Sequence, residues 1–301
     1  MMGLKYGAGM TLVDCLEKLS QQFEEADLFY GHGTDNSWDE AVYLVFCALG
    51  LSFEEDDTIM SRPVTQKEVS LIESLARRRI EEYVPVAYLV GEAWFAGLQF
   101  KVDSRVLIPR SPIAELILEQ FAGLLPAQPH RILDLCTGSG CIGIACALAF
   151  PDTFVDLADI SLGALTLASE NAARHVSQDR ICVIHSDLFN GLQGTYELIV
   201  TNPPYVSKDE VDALPQEYRH EPELGLVSEE EGLKIPLQIL REAANFLTTD
   251  GILVMEVGHS WEALAARLPQ VPFLWLEFAN GGEGVCMLTA SQLREVHSQL
   301  V

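Results

Sequence analysis

The chain is poor in basic residues. Of its 301 residues, 19 are Lys or Arg and 44 are Asp or Glu, which gives a formal net charge of −25. A surface of this sign repels nucleic-acid phosphates and attracts basic partners. The composition therefore argues against direct reading of nucleic acid and favours a basic polypeptide as substrate, although acidity also serves solubility alone.

Long apolar runs are also missing. No stretch reaches the length of a transmembrane helix, and residues 1–25 lack the basic and apolar regions of a signal peptide. The hydrophobic content of 49% is nevertheless enough for substantial cores. We expect a cytoplasmic protein with no membrane partner.

Paired cysteines are absent. The seven cysteines form no C-x-x-C pair, which argues against a disulfide framework and for a reducing compartment. Cys136, Cys141 and Cys146 recur every five residues, but no fourth ligand is evident and two of them fall in an apolar helix. Buried thiols are therefore favoured over a metal cluster, and we expect no metal.

The most informative motif present is Asn202-Pro203-Pro204-Tyr205, directly after the apolar run Leu198–Val200. Two successive prolines restrict the backbone and contribute no N–H groups. An amide, a fixed carbonyl and an aromatic face then surround one point, which suits the binding of a planar –NH2 group. A rigid loop with a packed tyrosine is the alternative.

A glycine-rich turn lies upstream. The apolar segment Arg131–Leu135 leads into Cys136-Thr137-Gly138-Ser139-Gly140 and then into an apolar helix, Ile142–Phe150. Glycines let a ligand approach the backbone, and a helix N-terminus offers free N–H groups. Because Cys136 stands where G-x-G-x-x-G begins, a nicotinamide cofactor is disfavoured but a nucleotide-type ligand is not.

Acidic residues follow two further predicted strands. Asp159 ends the strand 153–158, where a carboxylate can hold two ribose hydroxyls. Asp187 follows the strand 181–184, where it can accept a hydrogen bond from an adenine amino group. Parallel α/β sheets bind ligands at the carboxyl ends of their strands, so these features predict one site. The candidate ligand-binding residues are Asp134, Cys136, Thr137, Gly138, Ser139, Gly140, Asp159, Ile160, Asp187, Leu188 and Asn202.

Helical patterns dominate the N-terminal third. Leu12, Leu16, Leu19 and Phe23 share one helical face. Capping boxes are predicted at Ser37 with Glu40 and at Thr65 with Glu68. This part packs as a helical bundle, recognises substrate, or does both.

The rest of the chain predicts an α/β fold. Residues 94–100 predict a hairpin with its turn at Ala96-Gly97. Arg110, between prolines, positions substrate or cofactor, or is a stiffened surface arginine. Later strands are predicted at 251–257, 273–278 and 285–289, the last antiparallel after the turn 279–284. We expect seven strands with one reversed.

These motifs together resemble a known family. D-L-C-T-G-S-G-C, the two strand-end aspartates and N-P-P-Y are similar to class I S-adenosylmethionine-dependent methyltransferases. The segment Val106–Arg110 with N-P-P-Y resembles the HemK-type protein-glutamine methyltransferases. Segments 30–36 with 38–41, 80–89, 107–113 and 214–224 resemble their PrmB-type branch, which modifies protein L-three of the large ribosomal subunit. Release-factor-modifying relatives carry a glycine at the position of Cys136 and P-R-P-[DE]-T-E where this chain has Pro109–Glu115, which favours the ribosomal protein.

The resemblance implies a fold, a cofactor and a partner. It implies a Rossmann-like methyltransferase domain over 109–301, a connecting β-hairpin over 85–108 and a helical substrate-recognition domain over 1–84. The implied cofactor is S-adenosyl-L-methionine, and the implied partner is a basic ribosomal protein.

The motif residues themselves suggest how an amide nitrogen is activated. Its lone pair is delocalised, so the site must orient it. The Asn202 side-chain oxygen and the Pro203 carbonyl can accept its two hydrogens, while Tyr205 narrows the pocket. We therefore expect catalysis by Asn202, Pro203 and Tyr205, with Pro204 and Arg110 among the substrate-binding residues. His220 and Glu221 are candidate proton acceptors only through their nearness in sequence; a loop that shapes the cleft is the alternative.

Three functions remain open from the sequence. The first is glutamine N5-methylation of the ribosomal protein, or the same chemistry on release factors. The second is adenine amino-group methylation, which N-P-P-Y also suits but which needs a basic groove. The third is a non-enzymatic ribosome-assembly protein that retains a cofactor fold.

Overall fold

The chain forms two compact units in a computed structural model, which describes residues 9–177 and 179–300. One unit comprises the chain through Ala93 together with Pro215–His220. The other comprises Trp94–Leu214 and the chain from Glu221 onward. The three-part division expected from the sequence stays a prediction.

The first unit is helical. Its helices are α1 (Leu12–Glu25), α2 (Ser37–Leu49), α3 (Gln66–Glu81) and α4 (Val86–Val90), with short 3-10 helices at Asp57–Ser61 and Gln216–His220. The predicted apolar face of α1 is confirmed, because Leu12, Leu16, Leu19 and Phe23 are all fully buried. The capping box of α3 is confirmed as well, since the Thr65 side chain accepts from the Glu68 N–H and Glu68 binds the Thr65 N–H.

The capping box predicted for α2 is wrong. Asn36, one residue before Ser37, is the N-cap, and its side-chain oxygen accepts from the Asp39 N–H at 2.9 Å. Glu40 is buried and accepts from the Arg79 guanidinium at 2.6 Å. Glu40 therefore pairs with Arg79 instead of capping α2, because a buried guanidinium needs a carboxylate partner.

Arg79 is the centre of a buried polar network in this unit. Its guanidinium donates to Glu40, to Glu217 at 3.0 Å and to the carbonyl of Phe29 at 2.9 Å. Glu217 in turn accepts from the Phe29 N–H at 2.9 Å. A buried guanidinium is tolerable only when its donors are satisfied, so these bonds hold the segment containing Glu217 in place.

A two-stranded hairpin follows, with β1 (Glu92–Phe95) and β2 (Leu98–Lys101). Its turn residues Ala96 and Gly97 have φ of +49° and +76°, the left-handed conformation of tight hairpin turns. The predicted hairpin and its turn are thereby confirmed.

The second unit is built on a seven-stranded sheet in the order β5-β4-β3-β6-β7-β9-β8. The strands are β3 (Arg131–Leu135), β4 (Phe154–Asp159), β5 (Ile181–His185), β6 (Tyr196–Thr201), β7 (Leu247–Glu256), β8 (Leu274–Trp275) and β9 (Val285–Thr289). Among the strands of this sheet in the described residues, β9 runs antiparallel to β7 and β8, and the other strand pairs are parallel. The predicted α/β class with one reversed strand is confirmed, although β8 is shorter than expected.

Alternate residues of the central strands enter two separate cores. Leu133, Ile199 and Leu253 lie in one core, and their chain neighbours Ile132 and Leu198 lie in the other. This alternation follows from the period of two in a strand. Both faces of the sheet are therefore covered, as a parallel sheet requires.

The helices of this unit are α5 (Ile113–Leu118), α6 (Cys141–Ala149), α7 (Leu162–His175), α8 (Lys208–Ala213), α9 (Glu223–Leu226), α10 (Lys234–Glu242), α11 (Trp261–Arg267) and α12 (Ala290–Leu300). Short 3-10 helices occur at Ala243–Asn245 and Gly258–Ser260. Within the described part of the chain, no helix is long and apolar enough to cross a membrane.

Candidate active site

The site lies at the carboxyl ends of adjacent parallel strands. From β3 the chain adds β4 and β5 on one side and then β6 and β7 on the other, so the strand order reverses between β3 and β6. Ligands bind in α/β sheets at this kind of switch point. Asp187, Asp159, the 136–140 turn and Asn202 follow four neighbouring strands in spatial order.

Direct hydrogen bonds join the strand ends. The Thr137 N–H binds the Ala158 carbonyl at 3.0 Å, joining β3 to β4. The Thr201 hydroxyl donates to the Leu135 carbonyl at 2.7 Å and joins β6 to β3. The turn and the start of N-P-P-Y are therefore held on neighbouring strands.

In the 136–140 turn, every second residue has a positive φ. Cys136, Gly138 and Gly140 have φ of +61°, +56° and +82°, and open space faces the Cα of Gly138. Cys136 is the one residue of the three whose side chain makes this conformation costly. The turn can therefore lay its backbone against a ligand, with N–H groups available at the start of α6.

Asp134 lies beneath this turn, buried on β3. Its Oδ2 accepts from the Thr137 hydroxyl at 2.5 Å and from the Gly143 N–H at 2.8 Å. Its Oδ1 has no hydrogen-bond partner among the described residues. Burial raises the pKa of Asp134 to about 7.

Asp159 supports the turn from β4. Its carboxylate accepts from the Gly138 N–H at 2.9 Å and from the Ser161 N–H at 2.8 Å. Burial raises its pKa above the ordinary range, although these N–H groups oppose the shift. The next residue, Ile160, is exposed, so an apolar side chain stands at the tip of the strand.

The end of β5 contributes an exposed carboxylate and a buried leucine. Asp187 is exposed, whereas Leu188 is buried with φ of +47°. Burial, and then the charges of Asp159, Asp134 and Asp187, raise the pKa of the Cys136 thiol. This thiol is therefore neutral.

The N-P-P-Y segment leaves β6 at Asn202. Pro203 is buried, whereas Asn202 and Tyr205 are partly buried. The Tyr205 hydroxyl lies 3.4 Å from Glu256 Oε1, and the Tyr205 carbonyl accepts from the Ser260 hydroxyl at 2.9 Å. Tyr205 is therefore held by contacts of both its hydroxyl and its carbonyl.

Similarity to known proteins agrees with this geometry. Over 94% of its length the chain is 48% identical to the ribosomal protein uL3 glutamine methyltransferase of Xanthomonas campestris pv. campestris, 92% of which is covered. It is 45% identical, again over 94% of its length, to the protein of the same name from Neisseria gonorrhoeae, 95% of which is covered. The chain belongs to the uL3 glutamine methyltransferase family.

Two coarser comparisons support the fold of this family member. A profile of the methyltransferase small domain matches residues 114–217. The crystal structure of the hMettl16 catalytic domain in complex with MAT2A 3'UTR hairpin 1 covers 74% of this chain with a TM-score of 0.51, and 79% of that domain is covered. At 16% identity that likeness shows the fold alone.

Arg110 of this methyltransferase forms a bidentate ion pair. Its guanidinium donates to both oxygens of Glu221, at 2.6 and 2.7 Å, and the Ile108 N–H also binds Glu221. Glu221 is thus committed to shaping the segment around Arg110. His220, the other candidate proton acceptor, lies in the helical unit with Nε2 2.8 Å from the Glu82 carbonyl.

The cysteines of this family member are all free thiols. Burial raises the pKa of Cys141 to about 12 and that of Cys146 well above its ordinary value. Within residues 9–177 and 179–300, no group of three or more His, Cys, Asp or Glu side chains is placed to hold a metal ion.

The residues that support Tyr205 were not predicted from the sequence. Glu256 ends β7, the neighbour of β6, and Ser111 donates a short hydrogen bond to its carboxyl. A Cβ added at Gly258 would meet the Tyr205 ring at 2.8 Å, so only glycine leaves room for it. The available signal was the predicted strand 251–257, whose carboxyl end had to lie at the same edge of the sheet.

Proposed function

We propose that this methyltransferase transfers a methyl group from S-adenosyl-L-methionine to the side-chain amide nitrogen of a glutamine in ribosomal protein uL3. The observation that carries the proposal is the 45–48% identity, over 94% of the chain, to proteins named for this activity. The placement of N-P-P-Y beside the glycine-rich turn supports it physically.

The residues at the strand ends fit the proposed cofactor. Asp134 keeps one buried oxygen without a protein partner, and the turn at Gly138 leaves open space. Asp159 would hold ribose hydroxyls, Asp187 the adenine amino group, and Ile160 and Leu188 would flank the base. When bound, the cofactor supplies a methyl group on a positively charged sulfur.

The motif residues would orient the substrate amide. The Asn202 side-chain oxygen and the Pro203 carbonyl accept its two N–H groups, which directs the nitrogen lone pair toward the methyl group. Tyr205, fixed by Ser260 and Gly258, would pack on the amide plane. Neither step needs a metal ion or a covalent intermediate on the protein.

The remaining parts of the chain fit a protein substrate. A net charge of −25 favours association with a basic ribosomal protein and opposes direct binding to RNA phosphates. The helical unit would contribute substrate recognition, and Arg110 would help bind the segment that carries the glutamine. Such a substrate would be met in the cytoplasm.

Methyl transfer from S-adenosylmethionine to unmethylated uL3 tests the proposal, with the product mapped by mass spectrometry. One added methyl on a glutamine side chain is the expected result. Release factor and RNA are assayed in parallel as competing substrates. Transfer to either of them, with none to uL3, would show that the proposed substrate is wrong but that the protein is still a methyltransferase.

A further inference from the structure

A groove with two tryptophans in its wall opens at one end of the seven-stranded sheet. Its volume is about 400 Å³, within the range of small-molecule and side-chain binding pockets. The residues that line it include Trp261, Trp275, Glu277, Phe278, Glu283 and Gly284. All of them belong to the second unit. We call this feature the tryptophan groove.

The tryptophan groove lies at the same edge of the sheet as the candidate active site. Glu256, the last residue of β7, pairs with Val285, the first residue of β9. Trp275, the last residue of β8, pairs with Cys286 of β9. In the strand order, β7, β9 and β8 lie on one side of β6, whereas β3, β4 and β5 lie on the other. The groove is therefore on the side of N-P-P-Y away from the candidate cofactor residues.

Two glycines connect the groove to Tyr205. A Cβ added at Gly284 would clash with the Gly258 carbonyl oxygen, and one added at Gly258 would meet the Tyr205 ring at 2.8 Å. The Val257 N–H also binds the Gly284 carbonyl at 2.7 Å. Because neither glycine leaves space for a side chain, the groove has a fixed position next to the N-P-P-Y segment.

The loop that carries Glu283 is fixed from a second side. Glu115 on α5 accepts from the Ala279 N–H and from the Asn280 side chain, both at 2.7 Å. A Cβ added at Gly282 would meet the Pro112 ring at 2.7 Å. The loop 279–284 is therefore held against the start of α5 as well as against Gly258.

The groove combines aromatic faces with carboxylates. The ring centroids of Trp261 and Trp275 lie 5.4 Å apart, and Phe273 packs on Trp275 at 5.2 Å. Both tryptophans are partly buried and pack against the core, whereas Glu277 and Glu283 are exposed. Among the described residues that line the groove, none is basic. Indole faces and carboxylates both attract cations, so the groove fits a positively charged side chain.

We propose that the tryptophan groove binds a lysine or arginine side chain of the protein substrate, near the glutamine that is methylated. The aliphatic part of this side chain packs on the indole rings, and its charge faces Glu277 and Glu283. An apolar side chain would cover these carboxylates without pairing them, and an acidic side chain or a phosphate would be repelled. The inference rests on the proposed function, because it identifies where that basic substrate is held.

The double variant Glu277→Gln/Glu283→Gln tests the groove, because both positions are exposed and glutamine keeps the size of the side chain. We expect KM for unmethylated uL3 to rise by about threefold to thirtyfold at low ionic strength, the range for two exposed ion pairs. The kcat at saturating uL3 and the affinity for S-adenosylmethionine should each stay within about twofold. In about 1 M salt the difference in KM should shrink, because exposed charges are screened.

Asp152→Asn/Asp250→Asn is the matched control, because it removes the same number of charges elsewhere. Both residues are exposed; Asp152 precedes β4, and Asp250 lies in the first half of β7. This variant should keep the KM of the wild type. Equal rises in the two double variants would show an effect of net charge alone and would overturn the inference. An unchanged KM in Glu277→Gln/Glu283→Gln, or a loss confined to kcat, would overturn it as well.

Substitutions in the substrate identify the side chain that the groove binds. Each Lys or Arg within about ten residues of the methylated glutamine in uL3 is changed to Gln, a distance along the chain that the groove can reach. Calorimetry then gives the Kd of each uL3 variant for the wild type and for Glu277→Gln/Glu283→Gln.

One substitution should weaken binding to the wild type by at least about threefold and leave binding to the double variant unchanged, as a shared contact requires. Equal losses against both proteins for every substitution would contradict the groove as the binding site. A wild type that binds S-adenosylmethionine but methylates no glutamine of uL3 would overturn the proposed function instead.

Discussion

At the scale of single residues, the site separates the binding of a cofactor from the orientation of a substrate. Asp159 reaches the glycine-rich turn through the Gly138 N–H, whereas Asn202 stands at the head of N-P-P-Y on another strand. Because the two residues contact different groups, their substitutions should affect different steps.

Asn202→Ala should abolish methyl transfer while leaving S-adenosylmethionine affinity within a few-fold, since the substrate amide loses its acceptor. Asp159→Ala is the converse control and should weaken cofactor binding by about 1–3 kcal/mol, the cost of a missing hydrogen bond to a charged group. Calorimetric titration and single-turnover methylation measure the two effects. Full transfer by Asn202→Ala would contradict the amide-orienting role.

Cys136 carries a residue-scale conflict between backbone and side chain. Its φ of +61° is costly for a non-glycine residue, by about 1–2 kcal/mol, but its side chain is partly buried and packs against a hydrophobic core. Cys136→Gly should therefore change the free energy of unfolding by less than about 1 kcal/mol, because relief of strain offsets lost packing. Cys136→Val should be clearly destabilised, since a β-branched residue tolerates this φ poorly. Urea unfolding compares the two, and a valine variant as stable as the glycine variant would contradict this reading.

At the scale of elements, the buried guanidinium of Arg79 on α3 binds both Glu40 on α2 and Glu217. This network gives α3 a stability contribution that its own sequence does not reveal. Arg78, the residue before Arg79 on α3, makes an exposed ion pair with Glu82 at 3.3 Å. The two adjacent arginines therefore form a natural comparison.

Arg79→Ala should destabilise the helical unit by about 3–5 kcal/mol, because it leaves buried carboxylates unpaired. Arg78→Ala should cost less than about 1 kcal/mol, the usual range for an exposed ion pair. Hydrogen exchange within α2 and α3 measures the effect on this unit directly. Similar losses of protection in both variants would contradict the buried network as the cause.

At the scale of the whole molecule, deeply buried carboxyls and a partly buried, arginine-bonded carboxylate have opposite effects on the pH dependence of stability. Burial raises the pKa of Asp134 and Glu256 to about 7 each, above the value near 4 of an unfolded chain. Their contribution is fully present below about pH 4 and lost as pH rises through about 7. Hydrogen bonds from Arg62 lower the pKa of Glu68 to about 2, so its contribution is lost as pH falls through about 2.

The free energy of unfolding should therefore be highest near pH 4–5 and fall toward pH 7. Each buried group contributes a slope of up to about 1.4 kcal/mol per pH unit between its two pKa values. Urea titrations from pH 3 to 8 at low protein concentration measure the curve. Asp134→Asn should reduce the fall, and an unchanged slope in that variant would contradict the assignment.

Local sequence patterns predicted much of the fold and the positions of the site residues at the strand ends. Short apolar runs predicted the strands, Thr65 with Glu68 predicted a helix start, and Ala96-Gly97 predicted a hairpin turn. All depend on residues a few positions apart, whose interactions form before the chain packs. The order of strand ends then placed Asp159 and Asn202 at one edge of the sheet.

The sequence by itself thus determined the secondary structure, the parallel sheet and the motifs that end its strands. Tertiary structure alone decided that Glu40 binds Arg79 instead of capping α2, and that Glu256 binds the Ser111 hydroxyl and lies near the Tyr205 hydroxyl. The reason is physical: a buried charge takes whichever partner the fold brings within about 3 Å, whatever their separation along the chain. No local period encodes the contact between Ser111 and Glu256, which lie 145 positions apart in the sequence.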